Sequence, residues 1–268
     1  MDLLELADRL WSGDLDVAGP PSPMHPGNEK AVNPLVPRGE LVEIGQGTAF
    51  VNSFANVSAF ETTEGLVCVD SGAPFTAADI HRMIRAWSPA RLDTTIFSHG
   101  HIDHVLGMGP FEQEARDKGW APPRVVAHEN VPARFDRYKL TAGYNSAINS
   151  RQFGVPVPWP TKYRYPDETY RDQVELEVGG ERFELHHAKG ETDDHTWTWV
   201  PGRRALCSGD LIIWCVPNAG NPQKVQRYPR EWAAALREMS ALGAEALLPG
   251  HGLPVVGADR VRAILEDT

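Results

Sequence analysis

Three imidazoles and a carboxylate fall within six residues, at His99, His101, Asp103 and His104. They follow the apolar run Thr94-Thr95-Ile96-Phe97, so the cluster stands at the C-terminal end of a strand. Such a density of nitrogen and oxygen donors suits zinc or another first-row divalent metal. On a turn, His99 and His101 point to one side while Asp103 and His104 point to another, so the run can serve two adjacent ions. Two ions need more donors, and the chain offers them beside later strands. His195 precedes Thr196-Trp197-Thr198-Trp199-Val200, Asp210 ends Cys207-Ser208-Gly209-Asp210, and His251 lies in Pro249-Gly250-His251-Gly252. A carboxylate such as Asp210 can bridge both ions. Two cations sharing a water would bring its pKa toward neutrality and supply a hydroxide without any Ser or Cys nucleophile, with Asp103 a candidate to accept its hydrogen bond. Asp70, in Val69-Asp70-Ser71-Gly72, is expected to anchor the metal loop from behind. His25, His81, His186 and His187 lack such a context and read as surface or strand packing. His128 ends Val125-Val126-Ala127 with no visible partner.

The elements that must hold these residues are legible as alternating strands and helices. Short apolar runs at Leu41 to Ile44, Ala49 to Val51, Val57 to Phe60 and Leu66 to Val69 read as strands joined by glycine turns. A helix over Thr76 to Trp87 leads to the strand before His99, and another follows Gly107. Strands come again at Val125-Val126, Val174 to Val178, Arg182 to His187 and Thr196 to Val200. The last pair, Ala205 to Cys207 and Ala246 to Leu248, brackets a helix that Pro229 starts and Gly243 stops. The whole is α/β with mixed sheets, in one domain spanning 39–268. Residues 1–38 form an arm: an amphipathic helix with Leu3, Leu4, Ala7, Leu10 and Trp11 on one face, then six prolines between Pro20 and Arg38. That helix is too small to be a core alone, so it is expected to pack on its own chain or on a neighbour's, which leaves a homo-oligomer open.

Composition excludes several classes. With 41% hydrophobic and 23% charged residues the 268-residue chain is globular. A formal charge of -10 argues against a nucleic-acid surface. Neither a long apolar run nor a basic leader is present, so a chain that neither spans a membrane nor is exported is expected. Three cysteines without C-x-x-C spacing fit a reducing cytoplasm rather than a disulfide framework.

The order H-x-H-x-D-H, a distant His, Gly-Asp and Gly-His-Gly resembles the metallo-β-lactamase-fold hydrolase superfamily, over Leu41 to about Leu265. The resemblance implies a four-layer αββα sandwich with a dinuclear metal centre at one edge, zinc foremost. It gives His99, His101 and His195 to the first ion, Asp103, His104 and His251 to the second, and Asp210 to both. Only 90 residues separate His104 from His195 and 40 separate Asp210 from His251, too few for the extra domain of the nuclease branch. His101 stands where flavodiiron oxidoreductases carry Glu. Further along, three stretches resemble the alkylsulfatase branch: Arg137-Tyr138 with Gly143 to Arg151, Glu191 four residues before His195, and Pro217-Asn218 followed by Lys224-Val225-Gln226-Arg227 and Trp232. Asn145, Arg151 and Arg227 are thereby candidates to receive an anionic head group, because amide and guanidinium donors match tetrahedral oxyanions. The resemblance points to a small-molecule substrate, an alkyl sulfate or related anionic ester. Lactone, thioester or β-lactam hydrolysis is the alternative, since His195 and Asp210 match those branches better. A mononuclear iron persulfide dioxygenase or a non-catalytic member is the reading from another class. The aromatic-rich insertion between Gly119 and Tyr170 suits either an apolar wall over the site or a small satellite core.

Overall fold

Strand alternation decides the layering. In a computed structural model, which describes residues 1–17, 31–215 and 227–268, the chain begins with α1 (Leu3–Trp11), followed by two short paired strands, β1 (Asp16–Val17) and β2 (Ala31–Val32). An antiparallel meander comes next: β3 (Glu40–Gly45), β4 (Thr48–Asn52), β5 (Val57–Glu61) and β6 (Leu66–Val69). From β6 the connections become helical crossovers, which demand parallel pairing. They run α2 (Ala77–Trp87), β7 (Leu92–Ile96), α3 (Ile102–Val105), α4 (Gly109–Lys118), β8 (Arg124–His128), α5 (Asn130–Leu140), α6 (Ala142–Phe153) and β9 (Glu168–Tyr170). Strands β3 to β9 form one seven-stranded sheet in chain order.

The second sheet has six strands, again in chain order. β10 (Gln173–Val178), β11 (Glu181–His187), β12 (Thr196–Val200) and β13 (Ala205–Ile213) are antiparallel. After α7 (Pro229–Ser240), β14 (Ala246–His251) joins β13 in parallel, β15 (Val255–Val256) closes the edge, and α8 (Ala258–Asp267) follows.

Because successive strand side chains face opposite ways, each sheet presents two apolar faces. Phe50, Phe60, Val67, Val69 and Ile96 pack inward against Phe183, Leu185, Val200 and Leu248 of the facing sheet. Their neighbours Val51, Ala59, Leu66 and Cys68 face outward onto Ile80, Ile84, Phe111 and Phe135 of the helices. On the far side Trp197, Trp199, Leu206 and Leu247 meet Trp232, Leu236, Met239 and Val261. The result is the four-layer αββα sandwich. The three cysteines are unpaired, with Cys68 and Cys207 buried and Cys215 exposed. No helix among the described residues is long and apolar enough to cross a membrane.

Two expectations change. The arm helix buries Leu3, Leu6, Ala7 and Leu10, one stripe at helical spacing, against Leu253 with Val42 and Trp214 of its own chain. Leu6 thus belongs to the contact face, whereas Leu4 is only half-buried and Trp11 is 37% exposed. Asp2 caps the helix, its Oδ1 accepting from the Glu5 amide at 2.8 Å. The insertion, for its part, contains α5 and α6, and its rings spend themselves on one another: Phe135 stacks on Tyr163 at 4.6 Å and Tyr138 meets Trp159 at 5.2 Å. Phe135 also belongs to the cluster of Ile80, Ile84 and Phe111, with Tyr163 and Tyr165 packed against it, so these rings extend the core beneath the helices instead of forming a separate one. Most of the proline-rich stretch, His25, Pro217-Asn218 and Lys224-Val225-Gln226 lie outside the described residues.

Since Leu6 is 1% exposed, Leu6→Ala should lower stability by about 2 to 4 kcal/mol in urea unfolding. Trp11→Ala should cost less than about 1 kcal/mol; equal losses would mean the helix does not pack through this stripe.

Candidate metal centre

The candidate donors gather at one end of the sandwich, where loops leave β6, β7, β11 and β14 and where β13 bulges. The loop after β7 is fastened first. Asp70 accepts from the Ser98 amide at 2.7 Å and from the Ser98 hydroxyl at 2.7 Å. Its Oδ2 also lies 2.7 Å from His104 Nδ1. A proton on that nitrogen leaves Nε2 of His104 as the free donor, the usual device for fixing a ligand's tautomer. Asp70 itself holds a left-handed backbone, φ 65°, a conformation aspartate tolerates better than most residues. His251 is fixed in the same manner: Nδ1 donates to the Phe54 carbonyl at 2.5 Å, which aims Nε2 inward.

Asp210 reaches the centre through a break in β13. The register against β14 shifts on both sides of Gly209, and Gly209 has φ +50°. A Cβ there would lie 2.7 Å from His195 Cε1 and 2.8 Å from Ser98 Cβ, so only glycine lets the strand turn its next carboxylate into the site.

The donor atoms form two groups. His99, His101, Glu191 and Asp210 make one, and Asp103, His104 and His251 the other. In the first, Glu191 Oε2 lies 3.6 Å from His99 Nε2 and 3.4 Å from His101 Nδ1, while Asp210 Oδ2 is 3.9 Å from His99 Nε2. In the second, His251 Nε2 is 3.5 Å from Asp103 Oδ2, and His104 Nε2 is 3.8 Å from that same oxygen. Asp210 adjoins both, with Oδ1 3.4 Å from His104 Nε2 and Oδ2 3.4 Å from His251 Nε2. A tetrahedral ion with bonds of about 2.0 to 2.1 Å spaces its donors about 3.3 Å apart. Most of these separations are close to that value. His104 Nε2, Glu191 Oε2 and Asp210 Oδ1 are moreover buried without a hydrogen-bond partner, a costly state that a divalent cation relieves.

His195 lies beside this cluster, stacked on His99 at 4.9 Å, but its Nε2 accepts the Asp210 backbone N–H at 3.0 Å. It belongs to neither donor group. Glu191, four residues earlier in the same loop, presents the free oxygen instead. His195, expected as a ligand, stands beside the donor group that Glu191 joins, its own Nδ1 buried without a hydrogen-bond partner. Arg227 donates to the other oxygen of Glu191 at 2.6 Å. Asn145 and Arg151 stand on α6, which buries none of its side chains: Asn145 donates its amide to Thr141 Oγ1 of the preceding turn, and Arg151 is exposed. Of the three candidate anion binders, the described contacts bring only Arg227 to the cluster.

The remaining described histidines join neither donor group, although His187 Nδ1 lies 2.9 Å from the His195 carbonyl. His81 pairs with Glu114, His186 stacks on Trp197 at 4.0 Å, and His128 is buried in a stack with His187 at 3.6 Å.

Charge in the cluster is strongly polarised. Burial works against a proton on His104 and His251, yet the Asp210 carboxylate outweighs it, holding His104 well above the usual histidine range and raising His251 to about 9. Asp210 is in turn held well below the carboxylate range, its own burial being overcome by His251 and His104. Burial, with His104 and His101 adding to it, keeps His99 well below its ordinary value, and burial lowers His195 to about 4.

Residues 52–251 match the family described as the metallo-beta-lactamase superfamily. The chain belongs to that superfamily. It is 25% identical over 232 residues to a linear primary-alkylsulfatase from Pseudomonas sp., covering 78% of this chain and 43% of that protein. It is also 25% identical over 192 residues to a beta-lactamase-like protein 2 homolog from Caenorhabditis elegans, covering 71% of this chain and 52% of that one. The chain thus spans about half the length of the curated relatives it matches. Among solved structures, a stereoselective inverting sec-alkylsulfatase from Pseudomonas sp. superposes with a TM-score of 0.72 at 20% identity, over 85% of this chain and 40% of that one. A metallo-beta-lactamase from Pontibacter korlensis gives 0.58 at 18% identity, over 85% and 99%. These likenesses concern the fold.

Protons on His104 and His251 compete with any cation, so metal uptake by metal-free protein should release protons at pH 7. Apparent affinity should climb as pH rises toward about 9, where His251 loses its proton. Calorimetry in two buffers of different ionisation enthalpy measures the release; a buffer-independent heat would contradict the assignment.

Proposed function

We propose that the protein is a hydrolase dependent on two divalent metal ions, zinc foremost, that cleaves an anionic ester of the alkyl sulfate type. The catalytic unit is residues 39–268, to which the N-terminal helix adds a packed face. The observation that carries this reading is Asp210, whose two oxygens adjoin donors of both groups. We assign His99, His101 and Glu191 to one ion, Asp103, His104 and His251 to the other, and Asp210 to both. His195 becomes a packing and hydrogen-bonding partner behind Asp210 and His99 rather than a ligand.

Two divalent ions held there would supply a water acid enough to act as a nucleophile near neutral pH and a Lewis acid for the ester oxygen. The chain's own residues supply position. His99 and His104 are fully buried, while the side chains of His101, Asp103 and His251 are 29%, 21% and 20% exposed. Substrate therefore approaches from the side of those three. Asp103, the most exposed carboxylate in the cluster, is placed to accept a hydrogen bond from the attacking water. Arg227 uses one guanidinium nitrogen on Glu191 and keeps others for an anionic head group at the same mouth. That pairing, together with the two alkylsulfatase relatives, favours a sulfate or phosphate ester over a neutral lactone or a β-lactam.

Elemental analysis should find close to two equivalents of divalent metal, and Asp210→Ala should lower both stoichiometry and turnover. A single iron with oxygen consumption would replace hydrolysis by a dioxygenase. A medium-chain alkyl sulfate, an aryl phosphate diester, an acyl lactone and a chromogenic β-lactam, assayed side by side, test the substrate class. Arg227→Ala should slow anionic ester turnover by about 10 to 100-fold, as expected for losing one charge-assisted pair. Metal content measured on that variant separates a head-group role from loosening of Glu191. Faster lactone turnover, unaffected by Arg227→Ala, would retire the sulfatase reading.

A further inference from the structure

The loop carrying His99 and His101 and the loop carrying Glu191 come from different sheets, yet their donor atoms lie within 4.8 Å of one another. At their base the Thr196 amide donates to the Ser98 carbonyl at 2.6 Å. At their tips the connection is made by the insertion. Arg134 of α5, only 7% exposed, places its Nε 2.6 Å from Asp194 Oδ2 and bonds Asp193 through Nη2. The same Asp194 Oδ2 accepts the Gly100 N–H at 3.1 Å, between His99 and His101. Asn130, one turn earlier on α5, donates to the Asp193 carbonyl at 3.0 Å. The fit leaves no slack: a Cβ on Gly100 would stand 2.7 Å from Arg134 Cδ and 2.9 Å from Asp194 Oδ2.

A buried ion pair adds little net stability, because desolvation offsets the attraction. The consequence of this one lies in its directed bonds. We propose that Arg134 and Asp194 are positioning residues that clamp the two loops and set the spacing of His99, His101 and Glu191 for the first ion. The second group has fastenings that involve neither Arg134 nor Asp194: Asp70, which also holds Ser98, on His104, and the Phe54 carbonyl on His251. The clamp therefore acts on one ion of the pair. This inference rests on the metal reading above.

The test uses the full chain, freed of metal and titrated with Co2+, whose visible absorption reports coordination at each site. The charge-balanced double variant R134Q/D194N removes the buried ion pair with no change in net charge and leaves Asp193, whose side chain is 41% exposed, to solvent. It should weaken one of two Co2+ steps by about 10 to 100-fold and alter that step's spectrum, leaving the other within about 2-fold. Restoring Asp194 alone, in Arg134→Gln, should recover part of the loss, because the Gly100 N–H regains its carboxylate. Equal binding at both sites, or an equal loss at both in a variant with a native circular dichroism spectrum, would overturn the clamp. Should the double variant not fold, Asp194→Asn alone, which keeps the side chain's size and one acceptor, carries the same outcomes. A wild-type protein that binds no Co2+ would sink the metal reading itself, a result distinct from intact two-step binding that the variants leave unmoved.

Discussion

A single buried carboxylate organises this molecule's working end. Asp210 lies against His104 and His251, with an Nε2 of each 3.4 Å from one of its oxygens, and close to His99. A carboxylate held away from water is tolerable only with opposite charge or strong hydrogen bonds around it. The His104 and His251 imidazoles on either side go part of the way, and two divalent cations would meet that demand better. Everything else at this end serves the placement of that group: the bulge at Gly209, the His195 ring under its amide, and the parallel β13–β14 pairing that brings His251 alongside.

The next layer of contacts acts by choosing which nitrogen each imidazole offers. Asp70 takes Nδ1 of His104, and a backbone carbonyl takes Nδ1 of His251. Both rings then turn Nε2 to the same carboxylate. The sheet edges and helices behind these anchors are apolar and closely packed, so the donor positions inherit the rigidity of three hydrophobic layers. The insertion joins this frame through Arg134 and through Phe135, Tyr163 and Tyr165, which pack into the layer beneath the helices, while His101, Asp103 and His251 keep partly exposed side chains.

The sequence by itself determined the layers and most of the donors. Period-two alternation in runs such as Val67 to Val69, and a helix framed by Pro229 and Gly243, are local signals, since each element's apolar face is written within its own residues. The His99 to His104 run, Asp210 and His251 were legible for the same reason, as polar residues clustered where buried strands end. Only the tertiary structure brought Glu191 into a donor group with His99 and hydrogen-bonded His195 to the Asp210 amide, because the course of the loop that carries both is not written in any local pattern. It alone decided that Leu6 rather than Trp11 meets the body, that Asn145 and Arg151 stay on α6, and that Arg134 reaches Asp194 60 residues away. Contacts between distant segments leave no periodicity behind; they exist only once the sheets have been stacked, and that is where the geometry of the site is set.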